Sequence, residues 1–209
     1  AMNFVANGLD LPDGAEVLST DHEHIGGIEP WKLVTRRRVL PLRTVSLPAP
    51  AASSEELLEA VWSGVTDRTR VVCVSHITFT TGTILPITEL SARCAERDIV
   101  LAVDGAHPPG MIQMDLNTLG GDFYASSPHK WLLAPQGTGL LYIAEPWREK
   151  LWPTLASGGW DDMTLGAHRF NHMGTMDESR IAGLLAATEF FHALGMQRVE
   201  GRVRYLRGM

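Results

Sequence analysis

Lys130 and Asp104 are the two side chains whose types and placement could do chemistry together. Asp104 directly follows the apolar residues 99–103, Ile-Val-Leu-Ala-Val, and Lys130 lies in residues 125–132, Ala-Ser-Ser-Pro-His-Lys-Trp-Leu. A lysine amine can hold an aldehyde as a Schiff base, and a carboxylate can keep a pyridine nitrogen protonated so that the ring withdraws electrons. Taken together, the two residues predict pyridoxal 5'-phosphate chemistry, which neither would indicate alone.

The elements that must position this pair alternate between strand and helix. We predict a helix ending at Gly8, then strands at 16–20, 38–45, 70–75, 99–104, 122–126 and 139–144, and helices at 53–65, 86–97 and 178–194, the last extending as far as 206. Several strands are apolar throughout, which is typical of strands covered on both faces. The sequence therefore predicts an α/β fold with a mostly parallel sheet and helices on both faces.

Polar residues follow three of the predicted strands. In open parallel sheets the ligand site lies beyond the carboxyl ends of the strands. We therefore expect these side chains to converge there: Ser75, His76, Asp104, His107, Ser127, His129 and Lys130.

Composition excludes several classes of function. The chain has 209 residues, 44% of them hydrophobic, with a net charge of -6, so nothing indicates a nucleic-acid partner. No apolar run is long enough to span a membrane. The two cysteines, Cys73 and Cys94, predict packing rather than a disulfide framework. No feature assigns a compartment; the cytoplasm is the default, and a signal ahead of residue 1 would leave no trace.

Four segments in the right order resemble the class V aminotransferase family. They are residues 103–107 (Val-Asp-Gly-Ala-His), 127–131 (Ser-Pro-His-Lys-Trp), 136–142 (Gln-Gly-Thr-Gly-Leu-Leu-Tyr) and 172–177 (His-Met-Gly-Thr-Met-Asp). Within the family the chain looks closest to the isopenicillin N epimerase-like and cysteine desulfurase-like branch, through residues 21–24 (Asp-His-Glu-His) and Trp31. The resemblance covers nearly the whole chain.

The resemblance implies the fold and the catalytic pair. It implies fold type I of the pyridoxal phosphate enzymes, with the aspartate-aminotransferase-type large domain at residues 1–195, its N-terminal part missing. Residues 196–209 would begin the connection to a small C-terminal domain that is largely missing. Lys130 would form the Schiff base and carry the proton of the substrate's α-carbon, and Asp104 would pair with the pyridine N–H.

Further residues receive cofactor-binding roles from the same resemblance. His24 would stack on the ring, while His76 and His107 would lie near its phenolic oxygen, where desulfurases have asparagine and glutamine. Ser127 and His129 match phosphate ligands. Thr175 matches a residue that reaches the cofactor of the neighbouring subunit, which implies a homodimer.

The implied function is a class V aminotransferase acting on an amino-acid substrate. An epimerase or a carbon–sulfur lyase (desulfurase) of the same fold is the alternative, because the substrate pocket chooses the fate of the α-carbon. Another class of function is a non-catalytic, truncated relic. A metal site is a further reading: on a strand His22 and His24 share a face and flank Glu23, yet no other cluster has metal-ligand spacing, so we expect no metal.

Overall fold

A single sheet of six strands organises the protein. The computed structural model describes residues 1–171 and 174–209. The strand order is β2-β1-β3-β4-β5-β6, and every neighbouring pair is parallel except β5 and β6. The strands are β1 Glu16–Thr20, β2 Leu42–Val45, β3 Thr69–Ser75, β4 Val100–Asp104, β5 Phe123–Ser126 and β6 Leu140–Ile143. The mostly parallel sheet is thus as the sequence predicts.

Helices fill most of the connections between strands. They are α1 Met2–Gly8, α2 Ile25–Arg38, α3 Ser54–Trp62, α4 Ile87–Ala95, α5 Leu116–Leu119, α6 Glu178–Leu194 and α7 Met196–Arg207, with short 3₁₀ segments at Glu145–Trp147 and Met163–Phe170. Ser53 caps α3 by accepting a hydrogen bond from the N–H of Glu56, as its place before an acidic first turn predicts. None of the helices in the described part of the chain combines the length and apolar character that a bilayer crossing requires.

Two hydrophobic cores lie on opposite faces of the sheet. Side chains alternate between the faces along each strand, so neighbours such as Val71 and Val72 belong to different cores. Helices α1 and α2 cover the core that contains Val71, whereas α3 and α4 cover the core that contains Val72. The prediction of helices on both faces is therefore confirmed.

Helix α2 was not predicted, and it corrects the strand placed at 38–45. Its buried residues Ile28, Trp31, Val34 and Thr35 follow helical spacing, and residue 38 ends the helix. Val39 then adopts a left-handed conformation with φ 55°, and the strand begins only at Leu42. The residues Asp21 to His24 form the turn into this helix, so the strand interpretation of His22 and His24 was wrong.

The last helical region consists of two helices instead of one. Gly195, with φ 79°, ends α6 and precedes α7, because a glycine tolerates a conformation that breaks the helix. The break falls where we placed the boundary between residues 195 and 196. The division into domains at that point remains a prediction.

Candidate active site

Asp104 ends β4 as a half-buried carboxylate. Its Oδ1 accepts a hydrogen bond from the N–H of Ala106 at 3.0 Å. Burial raises the pKa of the Asp104 carboxyl, while the Ala106 N–H and, in their protonated forms, Lys130 and His24 oppose that rise. A carboxylate that accepts one donor can accept another.

Gly27, in the first turn of α2, faces this carboxylate directly. A Cβ at Gly27 would lie 2.5 Å from Asp104 Oδ2, which is closer than real Cβ atoms come. Only a glycine at this position lets the start of α2 pack this closely beside Asp104. Sequence reasoning missed Gly27, although the pair Gly26-Gly27 at the start of a helix was the available signal.

Lys130 lies in the loop that follows β5. Its backbone N–H bonds the carbonyl of Ser127 at 3.0 Å, and the N–H of Leu133 bonds the carbonyl of Lys130 at 3.2 Å. These turns direct the half-buried side chain towards the β4 end, where Nζ lies 3.1 Å from His107 Nε2. Lys130, Asp104 and His107 thus meet at the carboxyl end of the sheet, as the sequence predicts.

His24 joins this group from the start of α2. Its Nδ1 accepts the N–H of Gly26 at 3.0 Å, so the ring is the N-cap of the helix. The edge of the ring contacts Phe79 at 5.1 Å between centroids and 86° between planes. Phe79 is a second residue that sequence reasoning missed; an aromatic side chain shortly after β3 was the signal.

Ser127 and His129 belong to the same loop as Lys130. His129 Nδ1 donates to the carbonyl of Thr138 at 3.0 Å, since a carbonyl oxygen can only accept. Nε2 of the exposed ring is therefore the atom left for a ligand, and it can donate to an anion only when the ring carries both protons. Ser127 is half-buried three residues before Lys130.

His76 lies apart from the other candidates. Ser75 pairs in register with Asp104, so the side chain of His76 points to the opposite face of the sheet. There its Nδ1 is 2.9 Å from Tyr124 Oη, and burial lowers the pKa of His76 to about 4. The structure does not bring the His76 ring together with Asp104 and Lys130, and its cofactor role remains a prediction.

Thr175 is exposed just before α6, whose N-cap is Asp177. An exposed position is open to a neighbouring subunit, but its contact with a partner's cofactor remains a prediction. His172 and Met173, which begin the segment carrying Thr175, lie outside the described residues.

The carboxylate of Glu23 is engaged in hydrogen bonds with neighbouring side chains. It accepts from Thr20 Oγ1 and Ser75 Oγ, both at 2.6 Å, and burial raises the pKa of Glu23. In the described residues, no group of three or more histidine, cysteine, aspartate or glutamate side chains is arranged to hold a metal ion.

Comparison with known proteins decides the family. The family described as Aminotransferase class-V matches residues 1–209. The chain belongs to the class V aminotransferase family. Two relatives in this family are the isopenicillin N epimerases of Streptomyces clavuligerus and Amycolatopsis lactamdurans. They are 42% identical over 161 residues (77% of this chain, 40% of that protein) and 35% identical over 222 residues (99% and 56%). Cysteine desulfurases also match.

Solved structures of the family support the fold. The cystine C-S lyase C-DES, in complex with cysteine persulfide, gives a TM-score of 0.82 at 30% identity and covers 97% of this chain and 56% of that chain. A mutant of C-DES with glycine covalently linked to its pyridoxal phosphate cofactor gives 0.81 at 27% identity, covering 97% and 55%. The class V chain spans about half the length of the relatives it matches. The predicted family, fold and family cofactor are confirmed.

Proposed function

We propose that this chain is the cofactor-binding part of a pyridoxal phosphate enzyme that removes the α-proton of an amino-acid substrate. The observation that carries the proposal is the contact between Lys130 Nζ and His107 Nε2 at 3.1 Å, near the half-buried carboxylate of Asp104. One amine and one carboxylate at the carboxyl ends of neighbouring strands are the two groups that this chemistry requires.

The described residues fit this cofactor. When bound, pyridoxal phosphate supplies an aldehyde that amines condense with and a ring that withdraws electrons from the α-carbon. Asp104 accepts the Ala106 N–H at Oδ1, and its carboxylate can accept a ring N–H as well. Ser127 and His129, on the loop of Lys130, have the hydroxyl and imidazole groups that bind phosphate oxygens.

Each residue of the pair has a separate task. Lys130 Nζ holds the cofactor and, once released, takes the proton from the substrate's α-carbon. Asp104 keeps the ring nitrogen protonated, because its negative charge stabilises an adjacent N–H⁺. His24, at the start of α2, lies close enough to Asp104 that a proton on its ring would oppose the raised pKa of that carboxyl.

Among the fates of the α-carbon, epimerisation is the first candidate. The relatives at 42% and 35% identity described above are isopenicillin N epimerases, so isopenicillin N is the first substrate to test. Transamination, which the sequence favoured, and carbon–sulfur cleavage, which C-DES performs, are the alternatives. All three reactions begin with removal of the α-proton of the substrate at the same site.

Proton exchange in deuterated water tests the proposal. The cofactor-loaded protein should replace the α-hydrogen of isopenicillin N with deuterium and yield the epimer without keto acid. Lys130→Ala should slow exchange by about 10²-fold or more, the usual contribution of a general base. The chain has two other lysines, Lys32 and Lys150, and Lys32→Ala and Lys150→Ala are the matched controls.

Other outcomes would change the reaction assigned to the chain or refute α-proton chemistry altogether. Keto acid formation would mean transamination, and release of sulfur from cysteine or cystine would mean lyase activity. If the loaded protein exchanged the α-proton of no amino acid tested, the α-proton chemistry would be refuted and the chain would be a non-catalytic relic.

A further inference from the structure

Trp131 makes one polar contact that the proposed chemistry leaves unexplained. Its indole Nε1 lies 3.0 Å from Nδ1 of His107, with a hydrogen-bonding geometry. An indole N–H can only donate, so His107 Nδ1 must accept and carries no proton. A neutral imidazole with a bare Nδ1 has its proton on Nε2.

The proton on Nε2 of His107 then determines the protonation state of Lys130. Nε2 lies 3.1 Å from Lys130 Nζ, and an N–H at this distance needs an acceptor. An ammonium group has three donors and no acceptor, so two donors would face each other. The chain of contacts from Trp131 through His107 is satisfied only when Lys130 is the neutral amine.

The surroundings keep His107 neutral. Burial lowers the pKa of His107, and a proton on Lys130 or His24 would lower it further. A second proton would have to go to Nδ1, which the indole N–H already occupies. The hydrogen bond from Trp131 and the surroundings of the ring therefore both favour the neutral form of His107.

The backbone fixes the three residues relative to one another. Trp131 follows Lys130 directly, so one loop carries both ends of the chain of contacts. Gly110, in the loop that carries His107, has φ 87°, and a Cβ there would lie 2.2 Å from the carbonyl oxygen of Trp131. The two loops can approach this closely only because residue 110 is a glycine.

Packing alone does not explain the tryptophan. Half of its side chain, 50%, is exposed, so burial of its ring contributes only part of what a core tryptophan would. The polar contact with His107 is its most specific interaction in the described structure.

We propose that Trp131 is a positioning residue that holds His107 in the neutral form protonated on Nε2, so that Lys130 is kept as a neutral amine. This inference rests on the proposed function in one respect: a neutral amine matters because Lys130 must act as nucleophile and base. The state of the His107 ring itself does not depend on the reaction.

Nitrogen-15 NMR of histidine-labelled, cofactor-free protein tests the proposal, with His107→Gln identifying the signals of His107. In the wild type, Nδ1 should show the shift of an unprotonated nitrogen and Nε2 that of an N–H. In Trp131→Phe the two forms should mix, and the pKa of His107 should rise by about one unit, the size of one hydrogen bond. Trp152→Phe, with a similarly exposed ring (56%), is the control.

A second measurement reports on the reactivity of Lys130. An amine-reactive reagent modifies the protein at neutral pH, and peptide mass analysis identifies the modified lysine. The rate of modification at Lys130 should fall about tenfold in Trp131→Phe but not in Trp152→Phe. Unchanged His107 shifts in Trp131→Phe, or a proton on Nδ1 in the wild type, would overturn the proposal. Failure of the α-proton exchange with these NMR results intact would instead refute only the proposed function.

Discussion

At the scale of single residues, the site depends on charges held in a buried place. Burial raises the pKa of Asp104, whereas the hydrogen bond from the Ala106 N–H lowers it. That hydrogen bond partly offsets the cost of ionising a carboxylate that is largely shielded from water. A ligand N–H⁺ facing Asp104 Oδ2 would offset more of it, which explains why a carboxylate at this position suits a pyridine nitrogen.

His76 gives the residue-scale prediction. Its folded-state pKa of about 4 lies below the ordinary value of 6.5, so the unfolded chain takes up the proton first as pH falls. The folded protein should therefore lose on the order of 3 kcal/mol of unfolding free energy between pH 6.5 and 4 through this group. His76→Gln, which keeps a polar partner for Tyr124, should reduce that loss, as measured by urea unfolding at both pH values.

The exposed His192 provides the control for this measurement. His192→Gln should leave the loss on acidification as in the wild type. An equal loss in His76→Gln and the wild type would mean that the ring is not buried as the structure has it.

At the scale of elements, close contacts between backbone and side chain position the site. Gly27 brings α2 against Asp104, and Gly105 brings the end of β4 against the ring of Tyr124, 1.9 Å from where a Cβ would be. Both contacts exclude any larger residue. The approach of α2 to Asp104 and that of the end of β4 to Tyr124 therefore each depend on a glycine.

Gly27→Ala tests the first of these contacts. The added methyl would press on Asp104, and overpacking of this kind costs about 1–3 kcal/mol. We expect cofactor affinity to fall about tenfold or more, measured by titration with pyridoxal phosphate. Gly201→Ala is the matched control: nothing lies within 4 Å of a Cβ there, and its helix should gain about 0.5–1 kcal/mol in unfolding free energy. Equal affinity in both variants would contradict the contact.

Sequence patterns predicted the elements whose signals are local. Helix α6 begins and ends as predicted because Asp177 caps it and Gly195 stops it. The strands were found through their apolar runs. Helix α2 was missed because its buried face is interrupted by Gly-Gly and Pro30, which are unusual inside a helix.

The site was predictable in part for the same reason. Lys130, Asp104 and His107 follow strands whose ends meet, so their proximity follows from topology. The contacts of Gly27, Phe79 and Trp131 depend on how the start of α2 and the loops approach one another across the sheet edge. The local signals at Gly27 and Phe79 do not encode that approach. The side of the sheet that His76 faces became clear only from the register with β4.

At the scale of the whole molecule, a dimer with shared sites remains a proposal. Thr175 is exposed just ahead of α6, and α6 itself exposes Ile181, Leu185 and Phe190. Large exposed apolar side chains on one helix are typical of surfaces that another protein part covers. The Thr175 contact with a partner's cofactor would place residues of two subunits in one site.

Mixed subunits test this arrangement. Thr175→Glu should repel the cofactor phosphate of the partner, and Lys130→Ala removes the amine of its own site, so neither variant alone should be active. In a dimer of the two, one site has both defects and the other has none. Random mixing makes about half of the dimers heterodimers, which restores roughly a quarter of the wild-type sites. Mixtures without activity would contradict shared sites.

Borohydride reduction tests the central claim, the role of Lys130, most directly. The protein loaded with pyridoxal phosphate is reduced, digested and measured by peptide mass, with Lys32 and Lys150 as internal controls. We predict that reduction bleaches the visible absorbance band of the lysine Schiff base. The phosphopyridoxyl group should then be found on Lys130 alone. A protein that remains unlabelled at Lys130, or that is labelled equally on all three lysines, would contradict the account.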